Sequence, residues 1–438
     1  MKRRRANQLF LLLSSLAFVF IGISVIIWKL TLVGAFHIVT TVALFSLSLM
    51  QLGTGVTQRP FLKKGLTRLA AGIVTAGMGA MVMVFHDLFQ AVIPILFAVY
   101  VLLLGVIRLI IFAQDQADEN RWAVLSLLAG VVMIFFALSV VLHPYRNLPD
   151  VMNFIGVFLI LYGVTLFSDF VGALITFRHE SGRRRLRVTL PVVWEMFIPR
   201  RVLTRVNQFL QRGDDPNRLM QEDGRKGRVD LEIFIHVRES GTGAIGHADL
   251  WFEGKVYSYG CYDSARTKMG GLYGDGVLFI LSDREKYIAY CQEVVGKTLF
   301  AFGLQLDEQQ RESVRERLEE VKSHLVPWDP PAAAARKAGE SGEGFTDYPS
   351  ILCRMTDAQY YKFRDTSYKT YFTVTTNCVK LVDEVIGRSG TDILSLNGII
   401  TPGTYYDYLN REYEKQDSMV VTRRVYARRK FDEQAKQK

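Results

Sequence analysis

Six apolar stretches fill the first 177 residues, near 7–28, 31–51, 68–86, 91–113, 122–143 and 151–177. Each is close to the ~20 residues that cross a bilayer as an α-helix. Backbone polar groups in lipid must be satisfied within the segment, so such stretches are expected as helices. The opening "MKRRRANQLFLLL" has the charged-then-apolar order of a signal peptide. No small-residue cleavage site interrupts it and a second apolar stretch follows at once, so it reads as an uncleaved first span.

Basic residues set the orientation. Lys2 to Arg5, then Arg59, Lys63, Lys64 and Arg68, then Arg108 and Arg121, then the arginines from 178 onward lie at alternate ends of the spans. The opposite loops, at His86–Asp87 and "HPYRNLPD" (143–150), hold a single Arg. The excess of positive charge on one side predicts both termini in the cytoplasm of a multi-pass protein of a bacterial inner membrane. Ionisable groups within the spans are limited to His37, Arg108 and Asp169. A carrier would be expected to hold more of them, which favours an anchor.

Small residues recur with a fixed period. Gly72 and Gly130 are 58 apart, as are Gly105 and Gly163; one period earlier lie Ser14 and Leu47, the latter flanked by Ser46 and Ser48. Small residues let helices approach closely where lipid offers no hydrophobic drive. The pattern predicts two hairpins of one type and a third, more diverged one at the N-terminus, with oligomerisation through this half also open. Residues 1–177 resemble the short-hairpin repeat of the bacterial HdeD-like membrane proteins, a family linked to acid resistance.

The net charge of +10 is concentrated in residues 178–212, where nine arginines face only Glu180 and Glu195. No nucleic-acid motif accompanies the run, so it reads as a flank for anionic lipid headgroups rather than a nucleic-acid site. Within it, Val202, Leu203, Val206, Phe209 and Leu210 fall on one helical face. That face suits either the membrane interface or packing on a domain. Four cysteines (Cys261, Cys291, Cys353, Cys378) lack the paired spacing of a disulfide framework or a zinc site, so no metal or cofactor is expected.

After a polar linker to 229, the pattern becomes short β-rich runs: 230–237, 247–253, 255–260, 274–281 and 297–304. "DEQQ" (307–310) begins a charged helix reaching about 324 through a capping box. Residues 327–345 read as a low-complexity surface insertion. A helical stretch, the strand "YFTVTT" (371–376) and a helix from Cys378 follow. The class is α+β with an antiparallel sheet over 230–410, and 411–438 is a basic charged tail.

Cys378 stands at the start of that last helix, where the helix dipole favours a thiolate. A nucleophilic thiolate needs a base. His324 ends an exposed helix and His236 lies inside a regular strand, which suits a packed residue. His247 follows the Gly-rich turn "SGTGAIG" and opens a strand, with its ring free to face another element. The buried-thiol reading, general for cysteines, covers Cys261, Cys291 and Cys353.

A histidine opening a hairpin ("GHADLWFEGKVYSYG") and, far downstream, "TNC" (376–378) with "TPG" (401–403) resemble the circularly permuted papain-like hydrolases. These include the permuted NlpC-type amidases and the lecithin–retinol acyltransferase group. The resemblance implies Cys378 as nucleophile and His247 as general base. The orienting residue that group places at the end of the second hairpin strand falls on Ser258 or Tyr259, neither of them the histidine it prefers; Asp249 and Asp263 are further candidates. Asn377 and the Cys378 N–H are candidates for the oxyanion site. The implied function is a membrane-tethered cysteine hydrolase or acyltransferase acting on an amide or ester, with a lipid or membrane-proximal substrate. The alternative is a stress-response or ligand-binding protein with a degenerate, non-catalytic domain.

Overall fold

The computed structural model describes residues 2–57, 64–117, 123–174, 186–187, 203–204, 206, 227–237, 246–373, 376–387, 394–395, 401–415 and 418–427. The chain divides into two compact units, one over Leu13–Val164 and one over Thr165–Lys438 with Met1–Leu12.

Six helices make up the N-terminal part: α1 (Lys2–Ile27), α2 (Lys29–Thr57), α3 (Leu66–Val84), α4 (His86–Ala117), α5 (Ala123–Leu142) and α6 (Pro144–Leu174). Each is long and apolar enough to cross a membrane. Single residues, Trp28, Phe85 and His143, break the chain between α1 and α2, α3 and α4, and α5 and α6. Each break residue still donates its N–H to the carbonyl four residues back.

The periodic small residues mark where helices touch, and the contacts lie between successive hairpins rather than within them. Ser48 Oγ donates to the Gly72 carbonyl at 2.8 Å, joining α2 to α3. A Cβ on Gly105 would lie 3.1 Å from the Gly130 carbonyl, and one on Gly130 3.0 Å from that of Gly105, joining α4 to α5. A Cβ on Gly163 would lie 2.9 Å from the Ser15 carbonyl, joining α6 to α1. At the N-terminus the buried small residues are Ser15 and Ser48, not Ser14 and Leu47. The spacing there is 57 residues rather than 58, because the side chain must fall on the seam facing the neighbouring helix. His37 is a packed histidine: its Nε2 donates to the Val82 carbonyl at 2.9 Å, and its ring meets His86 edge-on at 4.4 Å.

The soluble part is built on strands β1 (Leu186–Arg187), β2 (Leu231–Val237), β3 (His247–Phe252), β4 (Lys255–Gly260), β5 (Tyr273–Asp275), β6 (Val277–Leu281), β7 (Thr298–Leu304), β8 (Leu325–Pro327), β9 (Gln359–Phe363), β10 (Thr370–Phe372), β11 (Leu394–Ser395) and β12 (Val420–Tyr426). Eight form one sheet in the order β12-β7-β2-β3-β4-β6-β9-β8, antiparallel throughout. β5 pairs with β10, and β1 pairs in parallel with β11. The helices are α7 (Arg284–Ala289), α8 (Glu308–Ser323), α9 (Pro331–Lys337), α10 (Tyr348–Met355), α11 (Cys378–Gly387) and α12 (Pro402–Glu414).

Central strands are buried on both faces, as the fully buried runs of β2 and β7 show. One face packs Ile233, Ile235, Leu250, Tyr257 and Phe302 against α8, α11 and α12. The other packs Phe234, Phe279 and Ala301 with Tyr287 and Ile288 of α7 and Leu352 of α10.

Several expectations are corrected. The run 274–281 splits at Gly276, where a Cβ would lie 1.9 Å from the Tyr368 carbonyl. No other residue fits there, and the close approach divides one strand into β5 and β6. Among the described residues of "YFTVTT", Tyr371 and Phe372 lie in a strand, and Thr373 and Thr376 do not. The segment 327–345 is not bare insertion: it completes β8 and holds α9, which buries Ala332 and Ala335. Residues 411–427 are not tail, because β12 adds to the sheet beside β7. α8 keeps its capping box, Asp307 with Gln310. Of the amphipathic segment, Leu203 and Val206 are buried in the soluble core, which answers for domain packing at those two positions. His179, the remainder of 188–226 and the residues after 427 lie outside the described residues.

Candidate active site

β3 begins at His247 because Gly246 precedes it. Gly246 has φ of +96°, and a Cβ there would lie 2.9 Å from Pro402 and 3.2 Å from the His236 carbonyl. A glycine meets both demands. The strand then carries Asp249 two residues on, on the same sheet face. In register, His236 of β2 lies opposite His247, and Phe234 opposite Asp249. On the other side Leu250 pairs with Tyr257, which puts Ser258 of β4 opposite Asp249. Three adjacent strands thus present His236, His247, Asp249 and Ser258 to one another.

Cys378 comes to this row from α11. Asn377 caps that helix, its Oδ1 accepting from the Lys380 N–H at 2.9 Å while its Nδ2 donates to the Thr373 carbonyl at 2.9 Å. Both ends of the Asn377 amide thus help to hold the turn that delivers Cys378. The sulfur accepts from the Ala248 N–H at 3.4 Å. The His247 ring and the Tyr371 hydroxyl interact with it electrostatically.

His247 is braced on its other nitrogen. Nε2 hydrogen-bonds Ser258 Oγ at 3.1 Å and the Tyr262 hydroxyl at 3.2 Å, and Ser258 and Tyr262 bond each other at 2.6 Å. Asp249 Oδ1 lies 2.8 Å from the same Nε2, off the donor–acceptor line, so this contact is chiefly electrostatic. With Nε2 engaged by three groups, Nδ1 is the nitrogen left for sulfur. Tyr287 donates to Asp249 Oδ2.

The ionisation states follow from these contacts. Burial opposes charge on His247, but Asp249 and Cys378 outweigh it and push its pKa up to about 10. Burial opposes the Cys378 thiolate as well, yet His247 and the Ala248 N–H hold its pKa below the ordinary value. Asp249 is depressed well below the carboxylate range: its two histidines overcome the cost of burial. Burial raises Tyr262 and Tyr371 well above 10, so both keep their protons and remain donors. These contacts favour a thiolate–imidazolium pair backed by a carboxylate over the neutral pair.

Of the four orienting candidates, Asp249 and Ser258 reach His247. Tyr259 does not: its hydroxyl donates to the Tyr368 carbonyl at 2.9 Å. Asp263 pairs with Lys362 at 2.6 Å and caps a turn through the Ala265 N–H. Sequence reasoning set aside His236, which lies in the cluster, and missed Tyr262, Tyr287 and Tyr371. Only His236 left a signal, since pairing the two predicted strands end to end aligns it with His247. Cys291 is fully buried and burial pushes its thiol up to about 12, while Cys261 and Cys353 are also raised by burial. Among the described residues no three His, Cys, Asp or Glu side chains are grouped to hold a metal ion. Comparison with protein-family models, curated proteins and solved structures finds no match to this chain.

Proposed function

We propose that the soluble domain is a cysteine hydrolase or acyltransferase that opens an amide or ester through an acyl-enzyme. The observation carrying this reading is Cys378 at a helix start against the strand that holds His247, with a buried carboxylate 2.8 Å from the imidazole and both shifts favouring the charged pair. The thiolate attacks the carbonyl carbon, forming a C–S bond and a tetrahedral oxyanion. The Cys378 N–H, at a helical position with no intrahelical acceptor, and the Tyr371 hydroxyl serve that oxygen. As the intermediate collapses, the C–N or C–O bond breaks and the His247 imidazolium gives its proton to the leaving group. His247, now neutral, takes a proton from water or an acceptor alcohol or amine, which attacks the thioester and frees the thiolate.

The N-terminal helices make this a tethered enzyme. Leu49, Val84 and Leu142 are 71 %, 74 % and 71 % exposed, surface that a bilayer would cover. The charge of the flanking loops supports both termini on the cytoplasmic side of a bacterial inner membrane, with 178–212 beside anionic headgroups. The matching breaks and seams support three copies of one hairpin, as in the HdeD-like proteins. Tethering favours a lipid or membrane-proximal substrate. One observation favours the non-catalytic reading instead: Cys378 is only 2 % exposed.

The two readings part on covalent chemistry. Full-length protein in detergent, treated with p-nitrophenyl acetate, should release nitrophenol in a burst and carry an acetyl group on Cys378 by peptide mass spectrometry. A folded protein that never acylates at Cys378 would leave the binding reading.

A further inference from the structure

One buried titratable group has no task in the scheme above. His236 is 1 % exposed in the middle of the sheet. Its Nε2 lies 2.6 Å from Asp249 Oδ2, its ring meets His247 edge-on at 5.7 Å and tilts against Tyr287 at 5.9 Å. Neither ring nitrogen makes a hydrogen bond: Nδ1 has no partner, and the Nε2 contact with Oδ2 is off the donor–acceptor line. An unsatisfied polar atom in a core costs on the order of 1–3 kcal/mol. An aliphatic side chain, like those of Ile233 and Ile235 on the same strand, would avoid that cost.

The placement gives a reason for bearing it. Asp249 has two oxygens and two duties. Oδ1 faces His247, so it can hold the imidazolium only if the carboxylate neither rotates nor takes up a proton. Oδ2 must then be met by donors that carry no charge, since a cation there would compete with His247 for the same carboxylate. Tyr287 is one neutral donor. His236 is the other neutral group at that oxygen: burial pushes its pKa down to about 4, so at neutral pH it is an uncharged ring whose Nε2 edge packs against Oδ2. The charged and titratable groups facing it are Asp249 and His247 of β3, Tyr287 of α7 and Lys297 at the entry to β7.

We propose that His236 is a positioning residue of this site, fixing Oδ2 of Asp249 so that Oδ1 stays ionised and aimed at His247. The inference rests on the Cys378–His247 pair being functional. It belongs to this chain's own arrangement, in which the histidine is braced from its own strand.

The test is the pH dependence of Cys378 alkylation by iodoacetamide, read by mass spectrometry in full-length protein. In His236→Leu the midpoint should rise by about one pH unit, with labelling below it about tenfold slower, as for loss of a close polar contact that holds the carboxylate in place. His236→Gln, whose amide nitrogen reaches a similar point, should stay near the parent. Tyr287→Phe should shift the midpoint in the same direction as His236→Leu, which keeps the test open should the leucine variant not fold. Parent-like midpoints in folded His236→Leu or Tyr287→Phe overturn the proposal. An ordinary thiol profile in the parent itself overturns instead the reading on which it rests.

Discussion

Replacing Asp249 by Asn removes one charge and almost no volume, so it isolates what the carboxylate does. His247 Nε2 is 2.8 Å from Oδ1. Unit charges at that separation attract by about 6 kcal/mol at an effective dielectric of ~20. The same carboxylate also opposes the thiolate; at roughly twice that separation, about the span of an imidazole ring, the repulsion is about 3 kcal/mol. The net preference that Asp249 gives the thiolate–imidazolium pair over the neutral pair is therefore about 3 kcal/mol, or about two pK units. In the parent, alkylation should fall on the acid side through the depressed Cys378 pKa and change again near pH 10, where His247 loses its proton. In Asp249→Asn the acid limb should move up by about two units, and labelling below the midpoint should slow about a hundredfold. Iodoacetamide labelling of both proteins across pH 4–10 measures this directly. A folded variant with an unmoved or lower midpoint would refute the electrostatic role of Asp249.

Other expectations are independent of that one. At pH 7 Cys378 should alkylate before Cys261, Cys291 and Cys353, whose thiols burial raises; tryptic mapping of a brief iodoacetamide pulse ranks them. Gly130→Ala puts a methyl 2.9 Å from Leu109 and 3.0 Å from the Gly105 carbonyl, so it should lower the thermal midpoint in detergent at a cost of about 1–3 kcal/mol. Gly77→Ala, with nothing within 4 Å, should be neutral or slightly stabilising. His236 is buried neutral with its pKa down at about 4, so the unfolded chain binds the extra proton between about pH 6.5 and 4. Stability should fall by about 3 kcal/mol as pH drops through that window; thermal midpoints measured from pH 7 to 4 should show a limb that His236→Gln lacks. A reporter fused after Lys438 should be active on the cytoplasmic side, and activity only on the outer side would reverse the topology.

The layout of this protein was legible because it depends on properties that short segments carry by themselves. Length and hydropathy mark the six helices, short β-rich runs mark β2, β3, β4 and β7, and side chain–backbone capping marks the start of α8. Cys378 and His247 could be named because each sits at an element boundary, after "TN" and after Gly246, where the chain leaves a side chain free to act. Register and close approach were not legible. Ser15 and Ser48 replace Ser14 and Leu47 because a seam between helices selects a face, and one residue's rotation decides which side chain lies on it. β12 joins the sheet far from its sequence neighbours, so residues that read as a charged tail became an edge strand. Asp249 and Ser258 were separated from Tyr259 and Asp263 only by the pairing of β3 with β4. His236 looked like core because its own strand gives no hint of what stands opposite. Segment-level free energies, from burial, propensity and capping, are set by a few consecutive residues; the field at Cys378 is set by His247 and Asp249, on a strand far away in the sequence, and only folding decides their distances.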